Sequence, residues 1–275
     1  MSRQYSLAHL TVLTCPPQEL IYLAARAGYD FVGLRTISMH NPGEPDHALA
    51  TNPALLRRTR TALAWTGIGV HDVELCRIHP GLDPRELLPE FEVAAELGAA
   101  HAVSSIWTAD RARALELFDQ VCALAVPYGI TINLEYVPIA QVSTLAAAVD
   151  VLTSVDATNV GLLLDLYHVH RARTRPEDLD DLPRDWFHFC QLCDAPADIP
   201  DSLDDLRDEL RERRLYVGEG GIDICATLRR LPEMVCAIEV PNVERAAEYG
   251  NAEHAARCLE SARAYFAGHP RPVTI

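Results

Sequence analysis

Eight short apolar segments alternate with amphipathic ones along the whole chain, and this alternation constrains the fold more than any other feature. Strands are predicted over residues 5–13, 31–36, 69–76, 102–107, 131–137, 161–167, 186–193 and 234–240. Helical periodicity falls between them, over residues 17–27, 53–65, 84–97, 109–127, 143–154 and 252–267. Three of these helices start on proline, whose missing N–H costs nothing in a first helical turn, and Asn52 stands where it would cap the second. Apolar strands joined through helices predict a parallel sheet covered by those helices. Eight such units in 275 residues predict an α/β fold, a closed (β/α)8 TIM barrel with residues 1–275 as one domain. A doubly wound open sheet is the runner-up. It usually has fewer strands, and the first strand here lacks the glycine-rich turn of a dinucleotide site.

Composition narrows the class. With 49% hydrophobic residues the chain can bury a sizeable core. Its 24 basic and 39 acidic side chains give a formal charge of −15, which opposes binding to nucleic acid. The N-terminal sequence has no secretory pattern, and no apolar run approaches the ~20 residues that span a bilayer, so a cytoplasmic protein without membrane contact is expected. The eight cysteines sit mostly in apolar stretches and read as reduced, buried residues. Cys190 and Cys193 alone have redox or zinc spacing. The charged stretch 195–219 reads as an excursion after strand seven, with a solvated helix in its middle.

In such a barrel the active face lies at the C-terminal strand ends. Strands five to eight end on Ile132-Asn133-Leu134-Glu135-Tyr136, Leu164-Asp165-Leu166-Tyr167-His168, Cys190-Gln191-Leu192-Cys193-Asp194 and Ala237-Ile238-Glu239-Val240. Glu135, Asp165, Gln191 and Glu239 would therefore converge on one rim. Three carboxylates at an apolar-walled mouth repel one another, so a positive charge must sit among them. A hard divalent cation is the simplest answer, and an arginine cluster from Arg171, Arg213 and Arg214 is the rival. His9 on strand one and Glu74 on strand three are expected to point at the same rim as candidate substrate contacts, Glu74 with Arg35 as a second use. Trp107 ends strand four and is expected to wall the pocket. His71 falls on the opposite face from Glu74, and His101 and His188 lie near strand starts as structural residues. The segment 39–50 is expected to cover the mouth.

The ordered series LEY, LLDLYH, HFCQLCD and IEV resembles the xylose isomerase-like TIM-barrel superfamily over essentially the whole chain. That resemblance implies one divalent metal on Glu135, Asp165, Gln191 and Glu239, with His168 and Arg214 contacting substrate. Gln191 stands where many members have histidine, which favours Mn²⁺ or Mg²⁺ over Co²⁺ or Zn²⁺. Val217 replaces the usual proline of the turn after Arg214. The implied chemistry is isomerisation or epimerisation of a sugar, keto-sugar or cyclic polyol ketone through a metal-stabilised enediolate, with Glu135 and Glu239 as acid and base. Two alternatives remain open at this point. One is a lyase that dehydrates a β-hydroxy ketone such as 3-dehydroshikimate or an inosose. The other is a non-catalytic binding subunit with a decayed site. The expected partner is a small carbohydrate-like molecule, and a homodimer is compatible with a barrel of this size.

Overall fold

A computed structural model describes residues 3–39, 41 and 44–270. Eight parallel strands close into a barrel in chain order. The elements are β1 (Tyr5–Leu7), α1 (Pro17–Ala27), β2 (Phe31–Arg35), α2 (Pro53–Thr66), β3 (Gly69–Ile78), α3 (Leu88–Glu96), β4 (His101–Ile106), α4 (Arg111–Ala125), β5 (Thr131–Glu135), α5 (Leu145–Ser154), β6 (Val160–Asp165), α6 (Leu166–Arg171), β7 (Phe189–Leu192), α7 (Leu203–Glu212), α8 (Ile224–Arg230), β8 (Val235–Ile238) and α9 (Val243–Gly268). The Asn52 side chain accepts the Leu55 N–H and caps α2 as its sequence predicts. No helix among the described residues is long and apolar enough to cross a membrane.

Three predicted elements change character. β1 stops at Leu7, and His9–Val12 form a 3₁₀ turn instead of continuing the strand. The strand predicted through Tyr167 ends at Asp165, whose carboxylate accepts the Tyr167 N–H and starts α6. α9 begins nine residues before its predicted start and kinks at Gly250 (φ 77°), a left-handed conformation that glycine adopts without steric cost.

The barrel interior is layered. Val103, Leu163, Phe189 and Ala237 form a small buried cluster of their own, apart from the larger core between strands and helices. Two residues further along the same strands, and so on the same face, stand Ser105, Asp165, Gln191 and Glu239. Below the apolar layer lies a stack of histidines. His101 stacks on His71 at 4.9 Å and on His188 at 5.1 Å, and Phe189 closes the group from above. His71 departs from its expected face because the β2–β3 register slips between Val32 and Gly33. Its ring also meets Phe31 edge-on.

Burial first, then His71 and His188, push the His101 pKa down to about 3, and burial lowers His188 as well. Unfolded histidine titrates near ~6.5, so below that pH the unfolded chain takes up protons that the folded pole refuses. Stability should therefore fall as pH drops from ~6.5, by at most about 1.4 kcal/mol per pH unit for each such histidine. In urea denaturation between pH ~7 and ~5, His101→Gln should show a shallower loss than the parent protein.

Candidate active site

The carboxylates converge as strand ends require. Glu135 ends β5, Asp165 ends β6, Gln191 lies within β7 and Glu239 follows β8. All four are buried. Glu135, Gln191 and Glu239 line a cavity of about 360 Å³ with Glu74, His168, Arg214 and Trp107. Asp165, 1% exposed, contacts the lining residues His168 and Arg214.

A positive charge does sit among them, and a side chain supplies it. Arg214 Nη1 lies 2.7 Å from Asp165 Oδ2 and 3.1 Å from Glu239 Oε2. Its Nε donates to the Leu210 carbonyl, and its guanidinium lies over the Tyr167 ring. Of the three arginines considered from sequence, only Arg214 reaches the carboxylates. Arg171 instead pairs with Glu209 at 2.6 Å and ties α6 to α7, while Arg213 bridges to Asn242 through its backbone. A second cation comes from β2: Arg35 lies 2.9 Å from Glu44 and 3.5 Å from Glu74.

The carboxyls differ in proton affinity. Burial, then the Asp165 and Glu239 charges, raises Glu135 well above the usual carboxylate range. Burial also raises Glu239 well above it, against the pull of Arg214. Burial works to raise Asp165 too, but Arg214, with the Tyr167 N–H, outweighs it and holds it low. His168 is pushed down to about 4, chiefly by burial, and stays neutral. Its Nε2 lies 3.7 Å from Glu135 Oε1 and 3.6 Å from Asp165 Oδ2, and its Nδ1 has no partner.

Other expected residues fall differently. His9 is fully buried, with Nδ1 accepting the Arg35 N–H and Nε2 bonded to the Cys15 carbonyl. Both ring nitrogens are consumed by backbone, so His9 holds the β1–β2 connections and offers no free nitrogen to a substrate. Trp107 walls the cavity, its Nε1 donating to Ser105 Oγ at 2.9 Å. Cys190 and Cys193 share no site: Cys190 faces Cys236 at 3.7 Å, while Cys193 lies by Asp165 and Arg214. Of segment 39–50, Met39, Asn41 and Glu44 line the mouth, while His40, Pro42 and Gly43 lie outside the described residues.

Sequence reasoning missed Arg77 and Arg211, both of which line the cavity. Regular alternation would turn Arg77 away from the face that Glu74 occupies. The β3–β4 register shifts between Val73 and Cys76, which sets Arg77 opposite Ser105 on the cavity side. Arg211 was legible only as part of a charged run.

The residues fit a divalent cation. Ligand atoms of Glu135, Asp165 and His168 lie within 4.8 Å of one another. Gln191 donates Nε2 to Glu239 Oε1 at 2.8 Å, and its buried Oε1 has no partner. The geometry thus brings His168 into the group, while Glu239 leans towards Gln191 and Arg214. An oxygen-rich donor set of this kind suits a hard or borderline ion. Arg214→Met should lower the unfolding free energy of the metal-free protein by about 3 kcal/mol, because buried carboxylates lose their contacting guanidinium. Urea denaturation reads this loss, and added Mn²⁺ should restore part of it.

Comparison with known proteins places the fold in a family. A family model described as xylose isomerase-like TIM barrel matches residues 21–262. An inosose isomerase of Bacillus licheniformis is 28% identical over 222 residues, which cover 75% of this chain and 76% of that protein. A 3-dehydroshikimate dehydratase of Pseudomonas aeruginosa is 27% identical over 239 residues, covering 82% of this chain but 35% of that longer protein. The crystal structure of IolI protein with a bound zinc atom superposes with a TM-score of 0.79 at 20% identity, over 96% of this chain and 98% of that one. The chain belongs to the xylose isomerase-like TIM-barrel family.

Proposed function

We propose that the chain is a divalent-metal-dependent enzyme that moves the proton beside the carbonyl of a small hydroxylated ketone. The observation that carries this reading is the convergence of Glu135 and Glu239, both buried and both of raised proton affinity, on a cavity bordered by the unpartnered Gln191 Oε1, with Asp165 close to Glu135 and His168. Glu135, Asp165, Gln191 and Glu239 would hold the ion, with His168 close enough to share in it. When bound, the ion polarises the carbonyl and offsets the charge that develops on its oxygen. Glu135 and Glu239 approach from β5 and from the end of β8, so one takes the proton on one side while the other returns a proton elsewhere. His168, neutral and with Nδ1 free of protein partners, hydrogen-bonds a substrate hydroxyl. Trp107 shields the cavity from water.

The outcome after proton removal depends on the substrate. Return of the proton gives isomerisation or epimerisation, as the inosose isomerase relatives suggest. Loss of a β-hydroxyl gives dehydration, as the dehydroshikimate dehydratase relative suggests. Arg77 and Arg211 favour the second outcome. Neither forms an ion pair among the described residues, whereas Arg35 and Arg214 are both paired. Burial, then Arg211 and Arg35, lowers the Arg77 pKa, and its guanidinium lies over Trp107 with a buried, unpartnered Nε. A substrate carboxylate docked there relieves this repulsion, which a neutral cyclic polyol cannot do.

Two measurements test these readings. Elemental mass spectrometry of protein purified without a chelating column, or reloaded with Mn²⁺, should find about one divalent ion per chain, lost in Asp165→Ala. Failure to bind any would leave a non-catalytic binding role. Substrate trials should include 3-dehydroshikimate and an inosose in D₂O. Dehydration yields a conjugated product with new ultraviolet absorption, whereas epimerisation shows only deuterium uptake. Glu239→Gln should lower kcat at least ~100-fold. Arg77→Ala should raise KM for a carboxylate-bearing substrate about tenfold, about 1.4 kcal/mol, with a smaller effect on kcat.

A further inference from the structure

Asp194 is a buried carboxylate with no place in the chemistry above. It follows β7 and is 1% exposed. No basic side chain forms an ion pair with it among the described residues; four backbone N–H groups surround it instead. Oδ2 accepts Gly218 N at 3.0 Å and Gly220 N at 2.9 Å, and Oδ1 accepts Ala195 N at 2.9 Å and Ile222 N at 3.1 Å. Hydrogen bonds to an ionised acceptor are the strong ones, and four donors satisfy both oxygens.

The turn these bonds gather has a sequence that permits the approach. Gly218 has φ 92°, and a Cβ on Gly220 would collide with the Ala195 carbonyl and come within 2.5 Å of Asp194 Oδ1. The turn opens directly after a two-residue bridge, where Asp194 N donates to Leu215 O at 3.0 Å and Leu215 N returns to Asp194 O at 2.8 Å. Arg214 is the next residue back. Its N–H donates to the Pro241 carbonyl at 3.1 Å, and its own carbonyl accepts Asn242 Nδ2 at 2.9 Å. Asp194 thus fixes the chain on one side of Arg214, and the end of β8 fixes it on the other.

We infer that Asp194 is a positioning residue: by clamping the 217–222 turn it sets the Arg214 guanidinium against Asp165 and Glu239, and so governs how those carboxylates present themselves to a divalent ion. This rests on the metal reading proposed above. A neutral amide cannot substitute, because in Asp194→Asn the new side-chain N–H₂ would face two N–H donors where Oδ2 now accepts both.

A double-mutant cycle separates positioning from plain stability. Mn²⁺ affinity, read by electron paramagnetic resonance of free Mn²⁺, is compared in the full chain, Asp194→Asn, Arg214→Gln and the double variant. Each single variant should shift the dissociation constant by about tenfold, the scale of outer-shell effects on metal sites. The double variant should shift it little further, because both changes remove one arrangement. Additive shifts, or an Asp194→Asn protein that binds Mn²⁺ like the parent while Arg214→Gln does not, would overturn the inference. A second readout needs no metal. Phenylglyoxal, followed by peptide mass mapping, should spare Arg214 in the parent and modify it in Asp194→Asn. Glu219→Gln, which loosens an exposed contact in the same turn, should leave Arg214 protected. If no protein binds Mn²⁺, the metal reading fails and protection of Arg214 decides this inference alone; continued protection in Asp194→Asn sinks it. Should Asp194→Asn not fold, Gly220→Ala displaces the turn with the carboxylate intact, and the same loss of protection is expected.

Discussion

The guanidinium of Arg214, held between Asp165 and Glu239 in a space that admits almost no solvent, is the contact on which the open end of the barrel depends. Three carboxylates delivered by the ends of β5, β6 and β8 cannot share such a space as anions without a counter-charge. One cation leaves the balance unequal, and the inequality has chemical value. Asp165, nearest the guanidinium, is kept ionised, while Glu135, which Arg214 does not contact, is kept ready to carry a proton. Burial raises all three carboxyls, and the guanidinium outweighs it only at Asp165, its nearest neighbour, so like groups come to hold protons differently.

The barrel itself was legible because its signal is repeated. Each strand is short and apolar, each helix is periodic, and eight repetitions leave few folds open. The convergence of Glu135, Asp165, Gln191 and Glu239 was legible for the same reason, since strand number and strand end suffice to place them. What escaped were departures from regular alternation. Arg77 reaches the cavity only because β3 and β4 slip in register, and His71 turns inward beside a similar slip against β2. His9 looked like a rim residue because β1 was read too long; the chain bends after Leu7, and the imidazole is spent on the backbone of two loops. Arg211 belongs to a segment whose charge pattern reads as a solvated surface until its tertiary contacts are known, and Asp194, just before it, stands at a strand end with its partners far along the chain.

The two ends of the barrel handle buried polarity in opposite ways. The closed pole stacks imidazoles face to face, and burial works against a proton on His101 and His188. The open pole gathers carboxyl groups and sets arginine and backbone N–H against them. Between them a thin apolar layer of Val103, Leu163, Phe189 and Ala237 keeps the two networks apart. The same strands thus carry a structural end and a chemical end within a few residues of each other.

The chain between β7 and β8 is anchored at two points, by Arg171 with Glu209 at α7 and by Asp194 at the glycine turn. Within that span, Leu210 and Arg211 reach the cavity from α7 and Arg214 reaches the carboxylates three residues later. A stretch of cavity wall and the charge balance of the carboxylates thus lie on one continuous segment. An exchange of this segment between members of the family has to carry the helix, the arginine and the glycine turn together with the aspartate that receives them, because a graft of the helix alone would separate a hook from its eye.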